Sequence, residues 1–133
     1  MKEAYIVNTV VNTLIARGFQ VATEVANFYR SADVAVIDDD NKIWIVECKI
    51  SDIKKAIEQL KTHKLSADRV YIATPYKKTR QSTLDRINEE DIGLIYIMQD
   101  GEMEVELEIS GRNSPWVPGR EKLKSRILNS QIL

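Results

Sequence analysis

Asp33, Glu47 and Lys49 are the side chains of this 133-residue chain whose types and spacing suit chemistry. They stand at the open ends of two apolar, β-branched runs, Val34 to Ile37 and Ile43 to Val46, which flank a polar tip, Asp38-Asp39-Asp40-Asn41. That pattern predicts a β-hairpin. Side chains alternate along a strand, so Glu47 and Lys49 share a face with Ile43 and Ile45, and Asp33 shares one with Ala35 and Ile37. A loop of Asp39-Asp40-Asn41, with Asn41 in the left-handed conformation it tolerates, pairs Ile37 with Ile43, Ala35 with Ile45 and Asp33 with Glu47. The two carboxylates then lie side by side. At ~4 Å they repel by roughly 4 kcal/mol at an effective dielectric of about 20. Such a pair persists if a cation sits between the groups or if one stays protonated. Lys49 is one cation, and a hard divalent metal, which takes oxygen ligands, is another.

The rest of the chain supplies the elements that must hold this hairpin. Residues 2–17 place Ala4, Ile6, Val7, Val10, Val11, Leu14 and Ile15 at helical spacing, ended by Arg17 and Gly18. Phe19 to Phe28 reads as a strand. Ser51 or Asp52 can cap a helix whose buried stripe is Ile53, Ala56, Ile57 and Leu60. Gln59 lies at the edge of that stripe, in a row with Asp52, Lys55 and His63. Arg69 to Thr74 reads as a buried strand ended by Pro75, parallel to the second hairpin strand because residues 51–65 supply a crossover. A basic loop, Tyr76 to Arg80, leads to a helix with Leu84 and Ile87 inward and a strand from Leu94 to Met98. After a turn at Gln99-Asp100-Gly101, Met103, Val105, Leu107 and Ile109 should face one way and Glu102, Glu104, Glu106 and Glu108 the other, as suits a sheet edge. Residues 110–119 read as a loop pinned by Trp116. Residues 120–133 read as a short basic helix with Leu123, Ile127 and Leu128 on one side, docked on the core because Trp116 needs burial.

Asp33, thirteen intervening residues and then Glu47-Cys48-Lys49 resemble the D-x(n)-E-x-K signature of the PD-(D/E)xK, or restriction-endonuclease-like, nuclease superfamily; Ala32 stands where that family often has Pro. The likeness covers most of residues 1–98 and is nearest to small Holliday junction resolvase-like proteins and stand-alone nuclease domains. It implies an α/β fold: an α-β-β-β-α-β core with a central mixed sheet flanked by helices, here followed by a C-terminal β-hairpin and a short tail helix. Residues 1–110 would form the nuclease-like domain and 111–133 a basic tail docked on it. The resemblance implies that Asp33 and Glu47, with the backbone carbonyl of Cys48, hold Mg²⁺ or Mn²⁺, and that Gln59 leans over the metal site. In such relatives a Glu near the start of the first helix reaches the metal, which Glu3 matches, and the first strand can lend an acid, which Glu24 matches. Bottom-up, Glu3 also suits the helix dipole and Glu24 a solvated strand face. Some members carry a Tyr four residues after the Gln; this chain has His63 there.

Composition sets the bounds. One domain, 44% hydrophobic and 29% charged residues describe an ordinary globular protein. No apolar run approaches the ~20 residues of a membrane span, and the N-terminus has no signal-peptide pattern. A single cysteine excludes an internal disulfide and fits a reducing, cytoplasmic location. His63, the only histidine, lacks partners for a zinc site or a nucleophilic triad, so it reads as surface or as a phosphate contact. Net charge is −1, but residues 1–110 carry 14 basic against 19 acidic side chains, while residues 111–133 carry five against one. A nucleic-acid face must therefore be local, built from Lys54, Lys55, Lys77, Lys78 and Arg80. The row of four Glu would face away from DNA. The reading is a Mg-dependent DNA endonuclease that hydrolyses phosphodiester bonds, with a homodimer suited to a two-strand substrate. The alternative is a non-cleaving module on the same fold that grips nucleic acid or a protein partner.

Overall fold

The computed structural model describes residues 1–108 and 116–131. Its elements run α1 (Glu3–Ala16), β1 (Gln20–Asn27), β2 (Arg30–Ile37), β3 (Ile43–Cys48), α2 (Ile53–His63), β4 (Arg69–Pro75), α3 (Gln81–Glu89), β5 (Gly93–Ile97), β6 (Met103–Leu107) and α4 (Val117–Ser130). The six strands form one sheet in chain order, β1-β2-β3-β4-β5-β6. β1, β2 and β3 pair antiparallel; β3, β4 and β5 pair parallel; β5 and β6 pair antiparallel. The fold is therefore mixed α/β, with helices on both faces of a mixed sheet and a C-terminal hairpin and tail helix, as expected.

The β2–β3 hairpin has the expected register, with Ile37 opposite Ile43 and Ala35 opposite Ile45. Its tip shows why. Asn41 takes φ +61°, the left-handed turn residue of a three-residue loop. Asp38 Oδ1 accepts the Asp40 and Lys42 N–H groups at 2.9 Å each, and its Oδ2 accepts Trp44 Nε1 at 2.8 Å.

Alternation along the strands builds two cores. Val34, Val36, Trp44, Val46 and Cys48 pack against Ile6, Val10, Val11 and Leu14 of α1. Ala35, Ile37, Ile43 and Ile45 pack on the other face against Ala56, Ile57 and Leu60 of α2, Ile87 of α3, and Leu123 and Ile127 of α4. Ala4 of the predicted α1 stripe lies outside the core and is exposed. Asp52 caps α2 by accepting the Lys55 N–H at 3.3 Å. The cap follows Cys48 by four residues, which holds the start of α2 close to the end of β3.

Two expectations need correction. Met103 packs with the α1-side core and Leu107 with the α2-side core, while Val105 is exposed. A register shift between Leu94 and Ile95 explains this, since one extra residue reverses the facing of everything beyond it. Trp116 is not buried: it is 49% exposed and stacks on Phe28, with ring centroids 5.8 Å apart. The tail helix is held instead by Leu123, Ile127 and Arg120; Leu128 is exposed. Arg120 Nε donates to buried Asp68 at 3.1 Å and its Nη2 to the Asn41 carbonyl at 2.6 Å. Ile109 and positions 110–115 lie outside the described residues.

Gly93 opens β5 where a Cβ would run into the Tyr71 ring and lie 3.0 Å from the Leu107 carbonyl. Tyr71 is fully enclosed, so neither neighbour can yield cheaply. Gly93→Ala is expected to lower unfolding free energy by about 1–3 kcal/mol in urea titration; an unchanged midpoint would show that the Tyr71 ring is free to move aside.

Candidate active site

The hairpin ladder ends at Val34 opposite Val46. Carried one pair further, the same register sets Asp33 opposite Glu47. The strands part there. Asp33 Oδ2 reaches across and accepts the Cys48 N–H at 2.9 Å, replacing a backbone partner with a carboxylate. On the other side, the β1–β2 register skips Glu24, which would lie opposite Asp33, and Glu24 adopts φ +53° within its strand. A left-handed non-glycine residue costs roughly 1–2 kcal/mol. Asp33 thus has an irregular backbone on both sides.

Glu47 points to the α2 face and is 3% exposed. Burial first and the charge of Glu47 second push the Asp33 carboxyl up to about 7, with a smaller push from Glu3. The Cys48 N–H works in the opposite direction, because it favours the anion. Glu3, exposed at the start of α1, is therefore near enough to be felt; Glu24 is exposed. The Cys48 thiol lies buried on the opposite face, and burial raises its pKa far above the usual thiol range. Lys49 follows β3 at once, half-buried, with its N–H on the Ala73 carbonyl at 2.9 Å. Among the described residues its ammonium makes no ion pair with either carboxylate, and the raised Asp33 carboxyl favours the retained proton among the ways expected to relieve the pair.

The second correction within the site is His63. Expected at the surface, it is 1% exposed, and its Nε2 lies 3.3 Å from Glu47 Oε1. The ring N–H is not aimed at that oxygen, and both atoms lack a hydrogen-bond partner among the described residues. Its other nitrogen is fixed. Ser66 Oγ donates to Asn27 Oδ1 at 3.0 Å, and Asn27 Nδ2 then donates to His63 Nδ1 at 2.9 Å. That arrangement makes Nδ1 the acceptor and so puts the ring proton on Nε2, the nitrogen on the Glu47 side. Asn27 and Ser66 are themselves buried. The signal available in the sequence was spacing: His63 is four residues after Gln59 and seven after Ala56, hence on the inner side of α2.

Glu47, Gln59 and His63 line one cavity of about 250 Å³ with Tyr29, Arg30 and Ser31. Gln59 Oε1 is buried there with no hydrogen-bond partner among the described residues. A larger cavity, about 610 Å³, lies between the start of α2 and the β4–α3 connection, lined by Lys54, Lys77, Lys78, Arg80 and Arg86. Of the expected basic residues only Lys55 is missing from it, and Arg86 is an addition.

The donor set fits a hard divalent cation. Asp33 and Glu47 are paired carboxylates that repel each other, one buried Glu47 oxygen has no donor, and oxygen ligands suit Mg²⁺ or Mn²⁺. Among the described residues no group of three His, Cys, Asp or Glu side chains is gathered for a metal, so backbone oxygen or water would have to complete the shell.

No protein-family model matches the chain, and no curated protein matches it in sequence. Two solved structures share its fold. One, a protein of unknown function from Silicibacter pomeroyi, superposes with a TM-score of 0.69 at 18% identity, over 97% of this chain and 86% of that one. The other is a repair endonuclease from Pyrococcus abyssi, with a TM-score of 0.54 and 18% identity. That match covers 74% of this chain and 47% of the endonuclease, about half its length. The fold is one that a nuclease uses. At this identity the likeness concerns architecture, and it agrees with a restriction-endonuclease-like core. No described helix is long and apolar enough to cross a membrane.

Two expectations follow. Asp33 keeps its proton to about 7 when folded, against 3.8 when unconstrained. The folded chain therefore binds more protons across that interval, and its stability falls as pH rises through it. Asp33→Asn keeps an acceptor for the Cys48 N–H without the charge. In metal-free buffer it should flatten the fall in melting temperature between about pH 4 and 7 and melt higher than the parent above that range; parallel profiles would disprove the raised carboxyl. His63→Ala leaves the Asn27 amide without its acceptor, and chemical denaturation should show a loss of about 1–3 kcal/mol.

Proposed function

We propose that this chain is a metal-dependent phosphodiesterase that hydrolyses DNA. The observation that carries the reading is the Asp33–Glu47 pair: two acids held together at a strand end, one with its carboxyl pushed up toward the neutral form and the other with a buried oxygen that has no donor among the described residues. A fold that needed only stability would not retain such a pair, because an uncompensated buried charge costs several kcal/mol. The PD-(D/E)xK resemblance and the endonuclease that shares the fold support the same reading.

Asp33, Glu47 and the Cys48 carbonyl would hold Mg²⁺ or Mn²⁺. When bound, that ion lowers the pKa of a coordinated water and offsets charge on the transition state. The chain's own residues do the remainder. Asp33 and Glu47 are the acids whose mutual repulsion a bound cation would offset. His63, tethered through Asn27 to Ser66, limits the positions open to the Glu47 carboxylate. Lys49, with no salt-bridge partner among the described residues, would orient or deprotonate the attacking water or hold the scissile phosphate. Gln59 Oε1, an acceptor without a partner among the described residues, would accept a hydrogen bond from that water in the same cavity. Lys54, Lys77, Lys78 and Arg80 would bind the backbone phosphates as the strand leaves the site.

The test is cleavage of labelled duplex, branched and single-stranded DNAs with Mg²⁺ or Mn²⁺, alongside Lys49→Ala and Glu47→Ala. The parent should cut only with metal, and each variant should lose at least about a hundredfold in rate. No cutting by the parent, together with no heat of metal binding in calorimetry, leaves a binding module on a nuclease-like fold.

A further inference from the structure

We propose that the β1–β2 hairpin tip and the start of α4 form a stacking platform for the bases of an unpaired nucleic-acid strand. This rests on the phosphodiesterase reading for its link to the site, and it specifies the form in which the strand arrives there.

Tyr29 is 81% exposed, a large aromatic side chain placed in water at a hairpin tip. It is nevertheless held in place. The Arg30 guanidinium lies 5.4 Å from the ring centroid, and hydrogen bonding to Thr62 of α2 and to Arg30 holds the phenol below its usual range. The same ring forms part of the cavity that contains Glu47, Gln59 and His63. Phe28, the preceding residue, stacks on Trp116 with the ring planes 15° apart, and both rings are partly exposed. Phe28 and Trp116 line a second cavity of about 120 Å³ with Lys122 and Arg126. Consecutive residues Phe28, Tyr29 and Arg30 thus join the two cavities. Apart from Glu47, neither cavity has an acidic residue in its lining.

The chemistry selects the occupant. A duplex hides the faces of its bases and offers phosphates and groove edges, which aromatic rings cannot use. An unpaired strand offers both bases and phosphates, and stacking on aromatic side chains is its usual mode of capture. Three rings interleaved with three cations, running out of the Glu47 cavity, match that ligand. The basic groove beside α2 and α3 makes the contrast: it has five cations and no aromatic residue in its lining, which suits a backbone alone.

The experiment is fluorescence anisotropy of the full chain in EDTA with labelled oligo(dT) and with a duplex of the same length. The parent should bind oligo(dT) more tightly than the duplex. Tyr29→Ala should weaken oligo(dT) binding by about tenfold or more, Tyr29→Phe should retain it, and duplex affinity should change by less than about twofold. Trp116→Ala should weaken oligo(dT) in the same direction. Unchanged oligo(dT) affinity in Tyr29→Ala, or no oligo(dT) binding by the parent, overturns the platform and leaves this patch to a protein partner. Metal-dependent cutting assayed in parallel separates the two ideas. Tyr29-dependent binding without any cutting keeps the platform and removes the nuclease; cutting with no Tyr29 dependence of binding does the reverse.

Discussion

Repulsion between two carboxylates is the constraint around which this molecule is arranged. The hairpin loop sets the register that carries Asp33 opposite Glu47, and Glu47 lies against His63 of α2. Their neighbourhood accommodates them in three ways: the Cys48 N–H binds one oxygen of Asp33, a proton stays on that carboxyl to about 7, and a histidine ring closes over Glu47. Each of these departs from regular structure. The ladder opens, Glu24 is strained, and polar atoms are buried without partners among the described residues. Such departures gather at functional sites because only a surrounding fold with stability to spare can hold them.

That surrounding fold is ordinary and was largely legible. Val34 to Ile37 and Ile43 to Val46 read as strands because their β-branched runs are bounded by turn residues, and the register followed from Asn41 tolerating a positive φ. α2 was legible because its stripe and its Asp52 cap are both local signals. The misreadings share a cause. A histidine on the inner side of a helix looks the same in sequence as one at its edge, and only the arrival of Asn27 and Ser66, far away in the chain, decides that it is buried. The split facing of Met103 and Leu107 depends on a bulge whose register is set between strands. Trp116 misled because stacking on Phe28 satisfies a ring that remains half in water.

The site lies between two surfaces of different character. On the β4 side, cations without aromatics surround the start of α2; on the β1 side, aromatics and cations alternate along the hairpin tip and α4. α2 connects them, since its first turns border the basic groove and its last turns carry Gln59 and His63. One helix therefore bears on the acids, the candidate water-positioning amide and one edge of each surface, so a shift of α2 would move all of them together.

The sheet order has a consequence for how the molecule is assembled during synthesis. Each strand pairs with the next one made, so all five strand pairings of the sheet can form as the chain emerges, without waiting for distant segments. The exception is the cover over β1. Ala22, Val25 and Ile37 share their core with Leu123 and Ile127 of α4, which are made about a hundred residues after β1. Until residues 117–130 dock, the β1 end of that face lacks its helix, which the Arg120 bonds to Asp68 and the Asn41 carbonyl help to hold. The cover over β1 is thus added after the acids are in place. A partly made chain has its acids in place but lacks a closed α2 face, which makes the interval before α4 docks the one in which the nascent protein is most exposed to aggregation.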